Sequence, residues 1–230
     1  MERDLAPVAA IIAEPARAAM LDALLSGRAM PAGELARVAG VSASTASEHL
    51  ARMRQVALVD VVRQGRHRYY RLANVAVAQA LEALAHIAPP RQIRSLRQSR
   101  QAESLAFART CYDHVAGTLG VTILDGFLAR DWLTDADGGY GVTSHGAEEL
   151  GRWGVDVADA RRRRRAFARP CLDWTERRYH LAGALAAAWT TRMLDLGWVV
   201  PRTSDSRALR LTRKGAAGVH ELLRIDTLQA

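Results

Sequence analysis

The segment 31–72 limits the fold more than any other part of the chain, because it sets helices, a tight turn and a hairpin in a fixed order. A proline opens a first helix, which Gly40 closes, and Ser42 is a good N-cap for a second helix over 43–54. The run LVDVVRQGRHRYYRL, at 58–72, then alternates apolar and polar residues about a central glycine, which predicts a β-hairpin. This order predicts a winged helix-turn-helix.

Three further helices complete the first predicted domain, residues 1–88. Apolar spacing predicts short helices over 5–13 and 15–25, and Pro15 is well placed as the first residue of the second of these. A fifth helix is predicted over 75–87, ending before a pair of prolines.

The start of the second helix and the tip of the hairpin are suited to DNA. A helix N-terminus offers free N–H groups, and short hydroxyl side chains let it approach base edges in the major groove. A basic hairpin tip suits phosphates or the minor groove. The net charge of +8 agrees with an acidic partner. The predicted DNA-binding residues are Ser42, Ser44, Thr45, Ser47, Glu48, His49, Arg52, Arg63, Arg66, His67 and Arg68.

The run VSASTASEHLARMRQVALVDVVRQGRHRYYRL resembles the ArsR/SmtB family of bacterial repressors. Ser47–Leu50 and Arg68–Leu72 carry most of the match, and the resemblance extends over about 5–88. It implies a homodimer built on the first and fifth helices, with recognition helices in successive major grooves of a palindromic operator. The interface candidates are Leu5, Val8, Ile12, Val77, Leu81 and Leu84.

The chain departs from the metal-sensing members of that family. Those members carry cysteines in the helix before the turn, whereas the corresponding segment here, 34–39, has none. The fifth helix offers only Glu82 and His86, and two ligands rarely make a zinc site. The metal sites usual in the family are therefore not expected here.

A basic linker helix is predicted over 89–110, because arginines recur there at every third position, as Arg91, Arg94, Arg97 and Arg100. A second basic run, Arg161 to Arg165, fits either a phosphate-binding patch or a solvated segment.

The remaining segment, 111–230, contains a duplication. His114–Gly117 recurs as His180–Gly183, 66 positions later, and Trp132 matches Trp198 at the same offset. Each half is predicted to form a long helix, a two-stranded wing and a closing helix that begins at the glycine of a Thr-x-x-Gly motif. The predicted fold is therefore mainly α with small β-hairpins: an N-terminal winged helix-turn-helix and a C-terminal tandem of winged-helix-like halves.

Both cysteines of the chain fall at matching places in this duplication. If Cys111 and His114 share one helix face and the halves pack about a pseudo-twofold axis, two thiolates and two imidazoles could bind a metal ion. A small-molecule effector, a redox-sensing thiolate, or plain packing with the aspartates as helix N-caps are the alternatives. The candidate residues are Cys111, Asp113, His114, Cys171, Asp173 and His180.

The sequence as a whole predicts a transcriptional regulator that binds double-stranded DNA, as a homodimeric repressor relieved by an effector. The alternatives are a sequence-nonspecific, nucleoid-type DNA-binding protein and a cytosolic Cys-dependent enzyme, although no nucleophile-elbow pattern accompanies either cysteine.

No enzymatic activity and no contact with membranes are expected. The charged N-terminus does not resemble a signal peptide and two cysteines suit a reducing compartment, so a cytoplasmic location is expected.

Overall fold

The computed structural model describes residues 4–89, 92–93, 95–203 and 206–224. These residues form two compact units, one within Met1–Ala88 and Ser204–Arg207 and the other within Pro89–Thr203 and Ala208–Ala230. Within the described ranges, no helix has both the length and the apolar character needed to cross a bilayer.

The first unit contains five helices and a three-stranded antiparallel sheet among its described residues. The strand order is β1-β3-β2. The elements are α1 (Ala6–Ile12), α2 (Pro15–Leu24), β1 (Met30–Pro31), α3 (Ala32–Ala39), α4 (Ala43–Gln55), β2 (Val59–Gln64), β3 (His67–Leu72) and α5 (Val75–Ile87).

The local signals in the sequence act as predicted in this unit. Gly40 takes the left-handed conformation at the end of α3, with φ +66°. Ser42 caps α4, because its hydroxyl accepts a hydrogen bond from the Thr45 N–H at 3.2 Å. Leu50 and Met53 of α4 are fully buried. The predicted winged helix-turn-helix is confirmed.

The second unit consists of short hairpins that alternate with helices. Its elements are α6 (Leu96–Phe107), β4 (Arg109–Cys111), β5 (His114–Ala116), α7 (Thr118–Ala129), β6 (Leu133–Ala136), β7 (Gly139–Val142), α8 (Ser144–Arg152), α9 (Val157–Arg162), β8 (Arg169–Leu172), β9 (Tyr179–Ala182), α10 (Ala184–Asp195), β10 (Val199–Pro201), β11 (Leu209–Leu211) and α11 (Arg213–Leu223).

The predicted linker helix is shorter than the sequence suggested. It forms α6, whose N-cap is Ser95, and it ends at Phe107, so that Arg109 begins a strand and is fully buried. Arg97 and Arg100 are exposed on α6, whereas Arg91 and Arg94 lie outside the described residues.

The duplication is visible as a repeated order of elements. The order hairpin, helix, hairpin, helix occurs from β4 to α8 and again from β8 to α11, with α9 between the two halves. The predicted order of long helix, wing and closing helix is present in both halves, as α7, β6–β7 and α8 and as α10, β10–β11 and α11. The prediction missed the hairpin that precedes each long helix. Strands of three or four residues are too short to show their alternation in the sequence.

A glycine ends each leading hairpin and permits the following helix. Gly117 has φ +80° and Gly183 has φ +99°, a region that L side chains rarely adopt. A Cβ atom at Gly117 would lie 2.4 Å from the Ala106 carbonyl oxygen, and one at Gly183 would lie 2.6 Å from that of Phe167. In the shared His-x-Ala-Gly motif, the first three residues therefore form a strand, and the glycine forms the turn that leads into the next helix.

The Thr-x-x-Gly motifs close each half for a similar steric reason. Thr143 and Thr212 are the N-caps of α8 and α11, and each accepts a hydrogen bond from the glycine three residues later. A Cβ atom on either glycine would lie 2.1 Å from a tryptophan carbonyl oxygen, of Trp132 or of Trp198. The closing helices thus begin at Ser144 and Arg213, two residues before the glycines that were expected to open them.

Candidate functional site

The N-terminus of α4 presents a cluster of hydroxyl groups. The Ser42 Oγ lies 2.9 Å from both the Ser44 Oγ and the Thr45 Oγ1. Ser42 and Ser44 are exposed, as are Ser47, Glu48 and Arg52 further along the helix. Ser47 donates its hydroxyl to the Ala43 carbonyl at 2.9 Å. This end of α4 therefore carries short donors and acceptors on an accessible surface.

His49 differs from the other predicted DNA-binding residues because its side chain is only 14% exposed. The His49 Nδ1 lies 3.4 Å from the Arg17 Nη1, and its Nε2 lies 3.6 Å from the Glu14 Oε2. Arg17 is itself buried and donates to the carbonyl oxygens of Ala10 and Ile11. His49 thus connects α4 to the start of α2, and a role in positioning α4 suits it better than contact with a base.

The β2–β3 hairpin carries an exposed basic tip. Arg63 is paired across the strands with Arg68, and Gln64 with His67, while Arg66 lies in the turn. All five residues are exposed. Like charges placed directly opposite each other destabilise a hairpin, so this tip is better suited to an anionic partner than to water alone.

Two leading hairpins of the second unit each place a cysteine opposite a histidine. Cys111 pairs with His114 across β4–β5, and Cys171 pairs with His180 across β8–β9. The prediction that Cys111 and His114 share a helix face is wrong, but its consequence stands, because neighbouring positions across a hairpin also place two side chains together.

These four side chains meet in one cluster. The Cys111 and Cys171 Sγ atoms are 3.9 Å apart, and the His114 and His180 Nε2 atoms are 3.2 Å apart. One donor atom from each of the four residues lies within 4.8 Å of the other three. Cys111 and both histidines are buried, and Cys171 is partly exposed. Two thiols and two imidazoles therefore converge on a single point.

An aspartate lies behind each histidine. The His114 Nδ1 lies 3.3 Å from the Asp113 Oδ1, and the His180 Nδ1 lies 3.1 Å from the Asp173 Oδ2. Asp113 is in the turn of the first hairpin and Asp173 in the loop of the second, so neither is a helix N-cap. Asp113 is placed to accept the His114 Nδ1 hydrogen, which would leave the His114 Nε2 lone pair facing the cluster. The His180 Nδ1 and Asp173 are within ion-pair distance but outside hydrogen-bond geometry.

Each aspartate is held by an arginine that sequence reasoning did not identify. Arg165 bonds to Asp113, and it comes from the run of five arginines. The Arg109 Nη2 lies 3.0 Å from the Asp173 Oδ2, and both side chains are completely buried. The Gly117 N–H also donates to Asp173, at 2.7 Å. No pattern in the sequence connects either arginine to its aspartate, because each approaches its partner through the tertiary fold.

The electrostatics of the cluster favour its charged forms. Burial raises the pKa of Asp173, but the interaction with His180 and the charge of Arg109 outweigh burial, and the pKa falls well below its usual value. Burial likewise opposes a charged His180, yet Asp173 and the Cys171 thiolate raise the pKa of that ring. The pKa of Cys171 lies far below its usual value because Cys111, and then the two histidines, hydrogen-bond to its sulfur.

The Glu82 and His86 pair on α5 does not form a comparable site. Glu82 is buried and bonds to Arg207, which also lies 3.2 Å from Asp22. Among the residues that the structure describes, one group of cysteine, histidine and acidic side chains is placed to hold a metal ion. That group is the Cys/His cluster.

Comparisons with known proteins cover both parts of the chain. A family described as a helix-turn-helix domain matches residues 12–62. The HTH-type transcriptional regulator YdfF of Bacillus subtilis (strain 168), itself uncharacterised, is 41% identical over 225 residues, which are 98% of this chain and 99% of that protein. The HTH-type transcriptional regulator YgaV of Escherichia coli (strain K12) is 37% identical over 79 residues, covering 34% of this chain and 80% of that protein.

Two solved structures are similar to part of the chain. One is the NMR structure of the cadmium metal-sensor CMTR from Mycobacterium tuberculosis, with 33% identity, a TM-score of 0.32, and coverage of 40% of this chain and 100% of that one. The other is the homodimeric winged helix-turn-helix DNA-binding domain of Mb0332 from Mycobacterium bovis, a possible ArsR-family regulator, with 31% identity, a TM-score of 0.33, and coverage of 36% and 75%.

Proposed function

We propose that this chain, which belongs to the ArsR/SmtB type of winged helix-turn-helix transcriptional regulators, is a homodimeric repressor. In this proposal the dimer binds a palindromic operator, and an effector releases it from the DNA. The observation that carries this proposal is the surface formed by the hydroxyl cluster at the start of α4 and the basic tip of β2–β3.

Base reading is assigned to the start of α4 and phosphate contact to the hairpin tip. Ser44 and Thr45 are short enough to let the helix enter the major groove, and their hydroxyls can donate to or accept from base edges. Arg66 and Arg68 are exposed at the tip, where a guanidinium can bond to phosphate oxygens.

Dimerisation is assigned to α1 and α5 because both helices leave apolar side chains exposed. Leu5 is 74% exposed, Leu84 42% and Ile87 81%, and none of the residues described in α1 is buried. A second copy of the chain would cover these side chains, and its twofold axis would match an operator with two half-sites.

The effector is assigned to the Cys/His cluster in the second unit. Four side chains able to bind a ligand converge there, and both cysteines of the chain are among them. An effector relieves repression only if it binds the state that cannot hold DNA more tightly than the state that can.

Sequencing of genomic DNA captured by the full-length protein at moderate salt tests the proposal. We expect a few sharp peaks that share an inverted repeat. Uniform coverage that disappears as salt is added would instead establish nonspecific binding, since phosphate contacts alone carry no sequence information.

A pair of serine substitutions tests the assignment of base reading. Ser44→Ala should change the preferred base at one position in each half-site, by about 1–3 kcal/mol. Ser144→Ala, at an exposed helical position of the second unit, serves as the matched control and should leave the preference unaltered. If Ser44→Ala also leaves it unaltered, α4 does not read bases through this residue.

A further inference from the structure

Two distances in the Cys/His cluster match opposite edges of a tetrahedron around one metal ion. With bonds of about 2.3 Å to sulfur and about 2.0–2.1 Å to nitrogen, tetrahedral zinc requires its two sulfurs about 3.8 Å apart and its two nitrogens about 3.3 Å apart. The distances here are 3.9 Å between the sulfurs and 3.2 Å between the nitrogens. These two distances agree with tetrahedral coordination, and all four donor atoms lie within 4.8 Å of one another.

The residues behind the cluster are those expected around a metal ligand. Histidines that bind metals usually donate their other ring N–H to a carboxylate or carbonyl, which fixes the ring and makes the free nitrogen more basic. Asp113 is placed to accept from His114 in this way, and Asp173 lies 3.1 Å from the His180 Nδ1. A disulfide between the cysteines would need neither histidine, whereas a metal ion uses all four side chains.

The charges select a divalent ion. Asp113 and Asp173 are each balanced by an arginine, Arg165 and Arg109 respectively. Two thiolates carry a charge of about −2, which one divalent ion neutralises, and a neutral assembly is the form that a buried site tolerates best. Sulfur and nitrogen donors suit zinc and cadmium and exclude magnesium and calcium, which prefer oxygen.

We propose that Cys111, His114, Cys171 and His180 bind a single tetrahedral ion of the zinc class, Zn²⁺ or Cd²⁺, and that this ion is the effector of the regulator. The second part rests on the proposed function, whereas the binding itself does not. The ion would join β4–β5 to β8–β9, and so connect the two halves of the duplicated unit. Four protein ligands leave no open position, so the site binds an ion and does not use it in catalysis.

Titration of the full-length, reduced, metal-free chain with Co²⁺ tests the binding. We expect saturation at one ion per chain, with the intense visible absorption of tetrahedral cobalt and a thiolate-to-metal charge-transfer band. Added Zn²⁺ should abolish both signals by displacing the cobalt. A weak octahedral spectrum, or no saturation, would overturn the proposal.

Three variants assign the signal to these residues. His180→Asn should lower the Co²⁺ affinity by more than about 100-fold. His145→Asn, at an exposed position of α8 in the same unit, is the matched control and should bind as the wild type does. His180→Cys should keep tetrahedral binding, because three cysteines and one histidine also bind zinc, and should strengthen the charge-transfer band. Cobalt binding that survives His180→Asn unaltered would contradict the assignment.

Asp113 is a positioning residue by this argument, since it contacts His114 and not the ion. Asp113→Asn should weaken Co²⁺ binding by about 10- to 100-fold while the tetrahedral spectrum of the saturated protein persists. Because these measurements contain no DNA, they stand apart from the repressor proposal. If the ion binds as expected but does not alter operator affinity, the effector role fails and the metal site remains.

Discussion

At the scale of single residues, the proposed phosphate contacts depend on arginines at the hairpin tip. Arg63 lies opposite Arg68 across the strands, and both guanidinium groups are exposed. Repulsion between these two guanidinium groups destabilises the hairpin of the free protein, and bound phosphate groups would neutralise it. These side chains should therefore contribute affinity without base preference.

Arg68→Ala should weaken binding to every DNA sequence by a similar factor. The slope of log K against log salt should become shallower by about 0.9 for each phosphate that the variant no longer neutralises. Titrations of operator and random duplexes at several salt concentrations measure both effects. Arg152→Ala, an exposed arginine of α8, is the control and should leave the slope intact. A weakening confined to one base position would show instead that Arg68 reads sequence.

At the scale of elements, the leading hairpins and their glycines build the Cys/His cluster. Gly183 ends β9 immediately before α10, so the strand that carries His180 can pass directly into a helix. Its Cβ position is occupied on two sides, 2.6 Å from the Phe167 oxygen and 2.7 Å from the Ala166 oxygen. Gly138, in the β6–β7 turn, has a similar φ of +75° but nothing within 4 Å of its Cβ position.

Alanine should be more costly at Gly183 than at Gly138, because Gly183, with φ +99° and ψ −170°, combines backbone strain with steric overlap. Gly138→Ala should destabilise the second unit by about 1 kcal/mol, through strain alone. Gly183→Ala should cost at least about 2 kcal/mol, because backbone atoms must also move. Urea unfolding followed by tryptophan fluorescence measures both, since all five tryptophans, from Trp132 to Trp198, lie in this unit. Equal destabilisation by the two variants would mean that the surroundings of Gly183 relax without cost.

At the scale of the whole molecule, self-association is expected to depend on the apolar faces of α1 and α5. Leu84→Glu should weaken dimerisation by more than about tenfold, because it would place a carboxylate in the interface. Sedimentation equilibrium measures the change. Leu194→Glu is the matched control, since Leu194 is 40% exposed and Leu84 42%, but Leu194 lies in the second unit. A dimer that survives Leu84→Glu intact would place the interface elsewhere.

Regulation also belongs to this scale, because the proposed ion site and the proposed DNA-binding surface lie in different units. Saturation with Zn²⁺ should lower operator affinity by about 5- to 150-fold, the usual range for coupled sites, and operator binding should weaken Zn²⁺ binding by the same factor. Fluorescence anisotropy of labelled operator, with and without Zn²⁺, measures the first effect. His180→Asn should abolish the response.

The sequence by itself determined the first unit and the existence of the repeat. Caps such as Ser42, the left-handed Gly40 and the spacing of Leu50 and Met53 are local signals, and local physics alone is enough to read them. The matching positions of Cys111 and Cys171 in the two halves were likewise evident from the sequence.

Only the tertiary structure decided how the residues of the second unit are arranged in space. The leading hairpins are stabilised by pairing and packing rather than by propensity, so their short strands resembled helices in the sequence. The meeting of His114 with His180, and the burial of Arg109 against Asp173, bring together residues more than 60 positions apart. Such contacts depend on chain topology, which no local pattern encodes, and the candidate metal site is composed of them.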